Sequence, residues 1–144
     1  MAAITLFCQW IEVNISELSK EEVILLEAEV FSRLCIELEE FFRKQHQEYF
    51  SLMKFCKNKE NSMLETNFVR FIIKDTLATG EYDMMGIANY TDTHEDVIQE
   101  VIDGRNTNPS AILLRKSIEI HRSVRRELYN SILKKISNAW IAVA

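Results

Sequence analysis

The chain has little that turns a backbone sharply, with 3 Gly and 1 Pro in 144 residues. That leaves scant turn chemistry for an all-β fold and points to helices. The 3 cysteines, Cys8, Cys35 and Cys56, are odd in number and lack CxxC spacing. They exclude a disulfide scaffold and read as reduced, mostly buried thiols in a cytoplasmic protein. No apolar run approaches the ~18 residues needed to span a bilayer, and MAAITLFCQWIEVN has no basic segment ahead of its apolar residues. Neither a membrane helix nor a signal peptide is expected. Enzyme signatures are missing as well. There is no Gly-rich phosphate loop and no G-x-S-x-G, and Ile98 stands where a zincin begun at His94-Glu95 needs its second histidine. Glu37, Glu39 and Glu40 have no following Glu-x-x-His, so a di-iron ligand set is not expected either. The reading is of a non-enzyme without cofactor or metal.

What is present is an ordinary globular mixture, 47% hydrophobic and 27% charged. A chain of this length buries roughly two-thirds of its unfolded surface and needs no covalent staple. Its net charge of −5 is unevenly spread. Residues 1–104 hold 9 Lys/Arg against 20 Asp/Glu, a net of −11; residues 105–144 hold 8 against 2, a net of +6. Such a split points to a C-terminal part that meets an anion or an acidic partner. Internal compensation between the two parts is the plainer alternative.

Residues 4–15 alternate in hydropathy like a short strand-like arm, although Ile4, Phe7, Cys8 and Ile11 also fit a helix face. Ser19 to Glu22 form a capping box that opens a long helix with no Gly or Pro before about Lys57. Within it Ile24, Phe31, Leu38, Gln45 and Leu52 recur every seven residues, as do Ala28, Cys35, Phe42, Tyr49 and Cys56. That stagger is a coiled-coil-like seam. A continuous helix would reach roughly 55–60 Å, about twice the diameter of a compact domain of this size. Either it breaks near Lys44–Gln47 or it pairs with a second copy. The favoured expectation is a homodimer held by Phe31, Cys35, Leu38, Phe42, Gln45 and Tyr49, with residues 1–58 as arm and dimerisation helix.

Residues 57–61 form a polar break, and Ser62 to Glu65 offer a second capping box, opening a helix that Gly80 stops. Short elements follow. Asp83 caps a helix to Tyr90, Thr91-Asp92-Thr93 is a tight turn, Thr93 caps a helix over His94 to Asp103, and Gly104 ends it. Asn108-Pro109 restarts a helix, and Ser123 caps the last one.

The run GIANYTDTHEDVIQEVIDGRNTNPSAILLRKSIEIH resembles the helix-turn-helix of Cro/repressor-type (lambda-repressor-like) DNA-binding domains. The motif covers residues 84–121, and the five-helix domain it implies covers about 62–137, within a second region of 62–144. Ile87-Ala88 stands where a small residue lets two helices cross, Val97 and Ile98 where the second helix anchors itself, and Asn108-Pro109-Ser110 where the fourth helix opens. Asp92 replaces the usual turn glycine, and the loop from Gly104 to Pro109 is one residue longer than usual.

The resemblance implies a mostly α, sequence-specific DNA-binding transcription regulator acting as a dimer on double-stranded DNA. The helix at 94–103 would enter the major groove, with His94, Glu95, Asp96 and Gln99 as base-contact candidates. Its outward residues are largely acidic, which costs affinity for a polyanion, so phosphate contacts would come from the flanks. The candidates are Arg105, Asn106, Arg115, Lys116, Arg122 and Arg125, with Arg126, Lys134 and Lys135 beyond. The alternative function is a protein-interaction module that keeps this scaffold and uses the acidic helix to bind a basic protein. The sequence leaves operator, sign of regulation and effector open.

Overall fold

A computed structural model of the chain describes residues 8–9 and 11–143, without the side chains of 142 and 143. Among the described residues all regular structure is helical: one turn of 3-10 helix at Ile15–Glu17 and eight α-helices, with no strand. The mostly α expectation holds. No helix among them is long and apolar enough to cross a membrane. The strand-like arm falls mainly outside the described residues; Cys8 and Gln9 are helical and Ile11-Glu12 is a turn.

The helices are α1 (Lys20–Gln45), α2 (Gln47–Met53), α3 (Lys57–Thr66), α4 (Phe68–Ala78), α5 (Met84–Tyr90), α6 (Glu95–Ile102), α7 (Ala111–Val124) and α8 (Arg126–Val143). They divide into two compact units, one of residues 1–40 with 127–144 and one of residues 41–126.

In the first unit α1 opens with the expected capping box. The Glu22 amide donates to Ser19 Oγ at 3.1 Å, and the Ser19 amide donates to Glu22 Oε1 at 3.2 Å. Val30, Leu34 and Leu38 are buried on α1, and Tyr129, Leu133 and Ile136 on α8. Lys135 reaches Glu37 at 2.9 Å, and the Arg33 guanidinium lies 5.0 Å from the Trp140 ring centroid.

The long helix is not continuous. His46 leaves the helical path at φ −106° and ψ 22°, and Lys54 then ends α2 in the left-handed region at φ 52°. This break lies where the length argument required one if the stripe packs on its own chain. Leu38 and Phe42 are both 0% exposed within the chain itself, each covered by its own packing. For Phe42 that packing is aromatic: its ring lies 5.5 Å from that of Phe71 and 6.2 Å, edge-on, from that of Phe68. Burying a ring of that size contributes ~2–3 kcal/mol more than leaving it wet. Phe31 and Cys35 are half-buried, while Gln45 and Tyr49 are exposed.

In the second unit α4 is the central element. It packs on α3, α6 and α7, while α5 packs on α6 and α7. Val69 and Ile73 from α4, Ile87 and Ala88 from α5, Ile98 and Val101 from α6, and Leu113 and Ile120 from α7 form one core. Three boundaries differ from expectation. Residues 57–61 are the first turns of α3, whose N-cap is Cys56 without a side-chain bond, so Ser62 lies inside a helix. Ser110, not Asn108, caps α7, its Oγ accepting from the Leu113 amide at 3.1 Å. Ser123 does not cap α8; its hydroxyl donates to the Ile120 carbonyl at 2.6 Å, and the break falls at Arg125.

Candidate nucleic-acid interface

Two short helices, α5 and α6, stand one after the other around a tight turn. Asp83 caps α5, its Oδ1 accepting from the Gly86 amide at 2.7 Å. The helix ends in a Schellman motif: the Asp92 amide donates to the Asn89 carbonyl at 3.3 Å and the Thr93 amide to the Ala88 carbonyl at 3.0 Å. The motif needs a left-handed residue, and Asp92 supplies it at φ 50°. Thr93 was expected to cap the next helix. Its hydroxyl instead donates to the Thr91 carbonyl at 3.1 Å, and His94 is the cap, Nδ1 accepting from the Asp96 amide at 3.2 Å.

The end of α6 repeats the device. The Gly104 amide donates to the Val101 carbonyl at 3.1 Å and the Arg105 amide to the Glu100 carbonyl at 2.9 Å, with Gly104 at φ 77°. Arg70, on α4, adds a bond from Nε to the Ile102 carbonyl at 2.8 Å. Ile98 and Val101 are buried while Asp96 and Asp103 face outward, so α6 is anchored by one side and exposed on the other.

The base-contact candidates differ in freedom. His94 and Asp96 are open, their side chains 75% and 87% exposed and 3.5 Å apart. Glu95 and Gln99 are half-buried. The Gln99 amide donates to Asp103 Oδ1 at 2.7 Å, and Arg105 pairs with the other Asp103 oxygen at 3.1 Å. Gln99, Asp103 and Arg105 are thus one surface chain. The acids at the start of α6 also have a structural reason, since Glu95 and Asp96 oppose the positive end of the helix dipole.

Among the phosphate candidates Arg105 and Arg115 are exposed, and Lys116 and Arg122 half-buried. Asn106 uses its Oδ1 on the Asn108 amide at 3.1 Å. Arg125 belongs elsewhere. It donates from Nε and Nη2 to the two oxygens of Asp75, each at 3.0 Å, and Asp75 also meets His121 Nε2 at 2.6 Å. Asp75 is 5% exposed and His121 0%. Burial alone would raise the Asp75 pKa, but the bonds from Arg125 and His121 and their charge outweigh it and hold the carboxyl below its ordinary value. Burial pushes the His121 pKa down, more than Asp75 pulls it up. His121 and Arg125 thus share one buried carboxyl group.

No family model, curated protein or solved structure matches the chain. The site stands on its own geometry.

Sequence reasoning missed Arg70, Asp75 and His121, which lie 32 to 50 positions from the residues they bind. Asp75 carried one weak signal, an acid on the otherwise apolar face of α4. The thiols depart in part from expectation: Cys8 is buried, Cys35 half-buried and Cys56 exposed. Burial, helped by Glu39, pushes the Cys35 pKa up to about 11, far from a reactive thiolate.

Proposed function

We propose that the chain is a sequence-specific DNA-binding transcription regulator that presents α6 to the major groove and grips phosphates from its flanks. One observation carries the reading: α5, a tight turn and α6 follow one another on a shared core, with one face of α6 left outside. Arg105, its side chain 65% exposed, follows directly after the α6 stop, and Arg115 lies exposed on α7. His94 and Asp96 are the open base-contact candidates, while Gln99 must release Asp103 to read a base. A homodimer belongs to the same reading, now through the outer face of α1, where Ile24, Leu25 and Ile36 are exposed.

The test is a mobility shift against genomic fragments over a series of salt concentrations. Binding should fall steeply with salt, and replacing Arg105 and Arg115 together by Ala should flatten the slope of log affinity against log salt by about two units on every fragment. An unchanged affinity and slope would turn the basic region back into a surface that balances the acidic one.

A second reading rests on the exposed Asp96 and on the Gln99 amide turned to Asp103. It makes the acidic face of α6 a docking surface for a basic protein, in which case a basic peptide binds and Asp96→Asn weakens it, while no DNA fragment shifts.

A further inference from the structure

The end of α6 carries an acid where helix electrostatics disfavour one. Asp103 is the C-cap of α6, its amide donating to the Gln99 and Val101 carbonyls, so its carboxylate stands at the negative end of the helix dipole. Glu95 and Asp96, in the first turn, are favoured by that same dipole. Local stability accounts for those two acids and leaves Asp103 without a reason.

Its contacts supply one. The Asp103 side chain, 41% exposed, holds two neighbours at once. Oδ1 accepts from the Gln99 side-chain amide at 2.7 Å, and Oδ2 accepts from Arg105 Nη2 at 3.1 Å. Gln99 lies four positions back, on the same helix face, and Arg105 lies just beyond the left-handed stop at Gly104. One is a candidate for reading bases and the other for gripping phosphate. A single carboxylate holds both.

These bonds compete with contacts to DNA. The Gln99 amide must leave Asp103 to meet a base edge, and Arg105 beside a carboxylate offers a phosphate little net charge. Both bonds are open to exchange. The Arg105 side chain is 65% exposed, and an exposed ion pair is weak. The backbone beneath is fixed, with the Arg105 amide on the Glu100 carbonyl at 2.9 Å and Arg70 Nε on the Ile102 carbonyl at 2.8 Å. The side chains can therefore change partners while α6 keeps its end.

We propose that Asp103 is a specificity-determining residue, a shared restraint that holds Gln99 and Arg105 until DNA displaces it. The inference rests on the reading of α6 as the groove helix. A phosphate of any DNA draws Arg105 from Asp103, so that bond weakens binding to every sequence by one factor. Gln99 leaves Asp103 only for a base edge that offers it more than the carboxylate does, such as the paired donor and acceptor of adenine. On other sequences it stays on Asp103. The same acid thus holds down affinity for all DNA and sets what Gln99 contributes on the right site.

The experiment is a mobility shift of the full chain with its tightest genomic fragment and a scrambled fragment of equal length. Wild type is compared with Asp103→Asn, which removes the charge on Arg105 but keeps an oxygen for Gln99, and with Asp103→Ala, which removes both. Thermal melts verify that each variant folds. Both should bind the scrambled fragment ~3-fold more tightly, the size of an exposed ion pair, and most of that gain should vanish in an Arg105→Ala background. On the tightest fragment Asp103→Ala should gain a further ~5-fold over Asp103→Asn, the size of one net hydrogen bond, and Gln99→Ala should abolish this difference. A wild-type chain that shifts no fragment ends the DNA reading and the role of Asp103 with it. A chain that shifts DNA while Asp103→Ala matches wild type on both fragments overturns the Asp103 role alone. So does a gain that is equal with and without Arg105, since it then reports only the loss of a repelling charge.

Discussion

Arg125 meets Asp75 through two parallel hydrogen bonds of 3.0 Å across 50 positions of sequence. A fork so engaged is a structural clasp between the end of α7 and the middle of α4, and it removes Arg125 from the cations offered to phosphate. Because Asp75 is buried while Arg125 is 39% exposed at its side chain, the acid is the sensitive partner. Asp75→Ala should lower unfolding free energy by about 3 kcal/mol in urea titration, since it also leaves the buried His121 without its acceptor. Arg125→Ala should cost more than an ordinary surface change because it leaves the Asp75 charge half-compensated. Equal stability of wild type and Asp75→Ala would remove the clasp from the account of this fold.

His121 makes stability depend on pH. Its folded pKa lies below the ordinary 6.5, so between those two values the unfolded chain binds more protons than the folded one. Stability from this group is full above pH 6.5 and is lost as the pH falls from there through the folded value. Asp75 acts in the same direction further down, below its ordinary 3.8. The half-buried His46, lowered by burial and Lys74, adds to the first window. His121→Gln should therefore flatten the decline below pH 6.5 without abolishing it, as urea midpoints measured over a falling pH series will show.

The two left-handed stops of α5 and α6 give opposite expectations. Asp92 holds φ 50° at some cost to an L-residue, so Asp92→Gly should raise stability by up to ~1 kcal/mol. Gly104 holds φ 77°, and Gly104→Ala should lower stability by ~1 kcal/mol. Each corresponds to a shift of roughly 2–4 °C in melting temperature for a chain of this size.

Self-association gives the fourth expectation. Phe42 is fully buried, so Phe42→Ala should cost about 3–5 kcal/mol of stability rather than produce a folded monomer. Ile24→Glu combined with Ile36→Glu, on the exposed outer face of α1, should leave the fold intact and shift a dimer to monomer in sedimentation. A wild-type chain already monomeric at micromolar concentration would end the dimer reading.

What the sequence made legible was set by neighbours in the chain. The Ser19 to Glu22 box, the Asp83 cap, the turn at Asp92 and the stop at Gly104 each depend on atoms within five residues. The errors come from competition between equal local signals. Asn108 and Ser110 both flank Pro109, and it is the Ser110 hydroxyl that takes the Leu113 amide. Ser62 resembles a cap, yet the cap is Cys56, six residues earlier, and Ser62 lies inside α3. The heptad pattern specified an apolar stripe correctly and could not specify what covers it. Arg70 on the Ile102 carbonyl and Asp75 on His121 were illegible, since they join segments that only the tertiary fold brings together.

The division of the chain has a consequence for the order in which it is made. One unit is assembled from residues 1–40 and 127–144, while the other is the uninterrupted stretch 41–126. Residues 1–40 leave the ribosome well before the α8 groups that meet Glu37 and Arg33. The central stretch therefore has all its own partners in hand while the opening of α1 still waits for its own. During synthesis the N-terminal part of α1 thus stays without its α8 partners until after residues 41–126 have emerged.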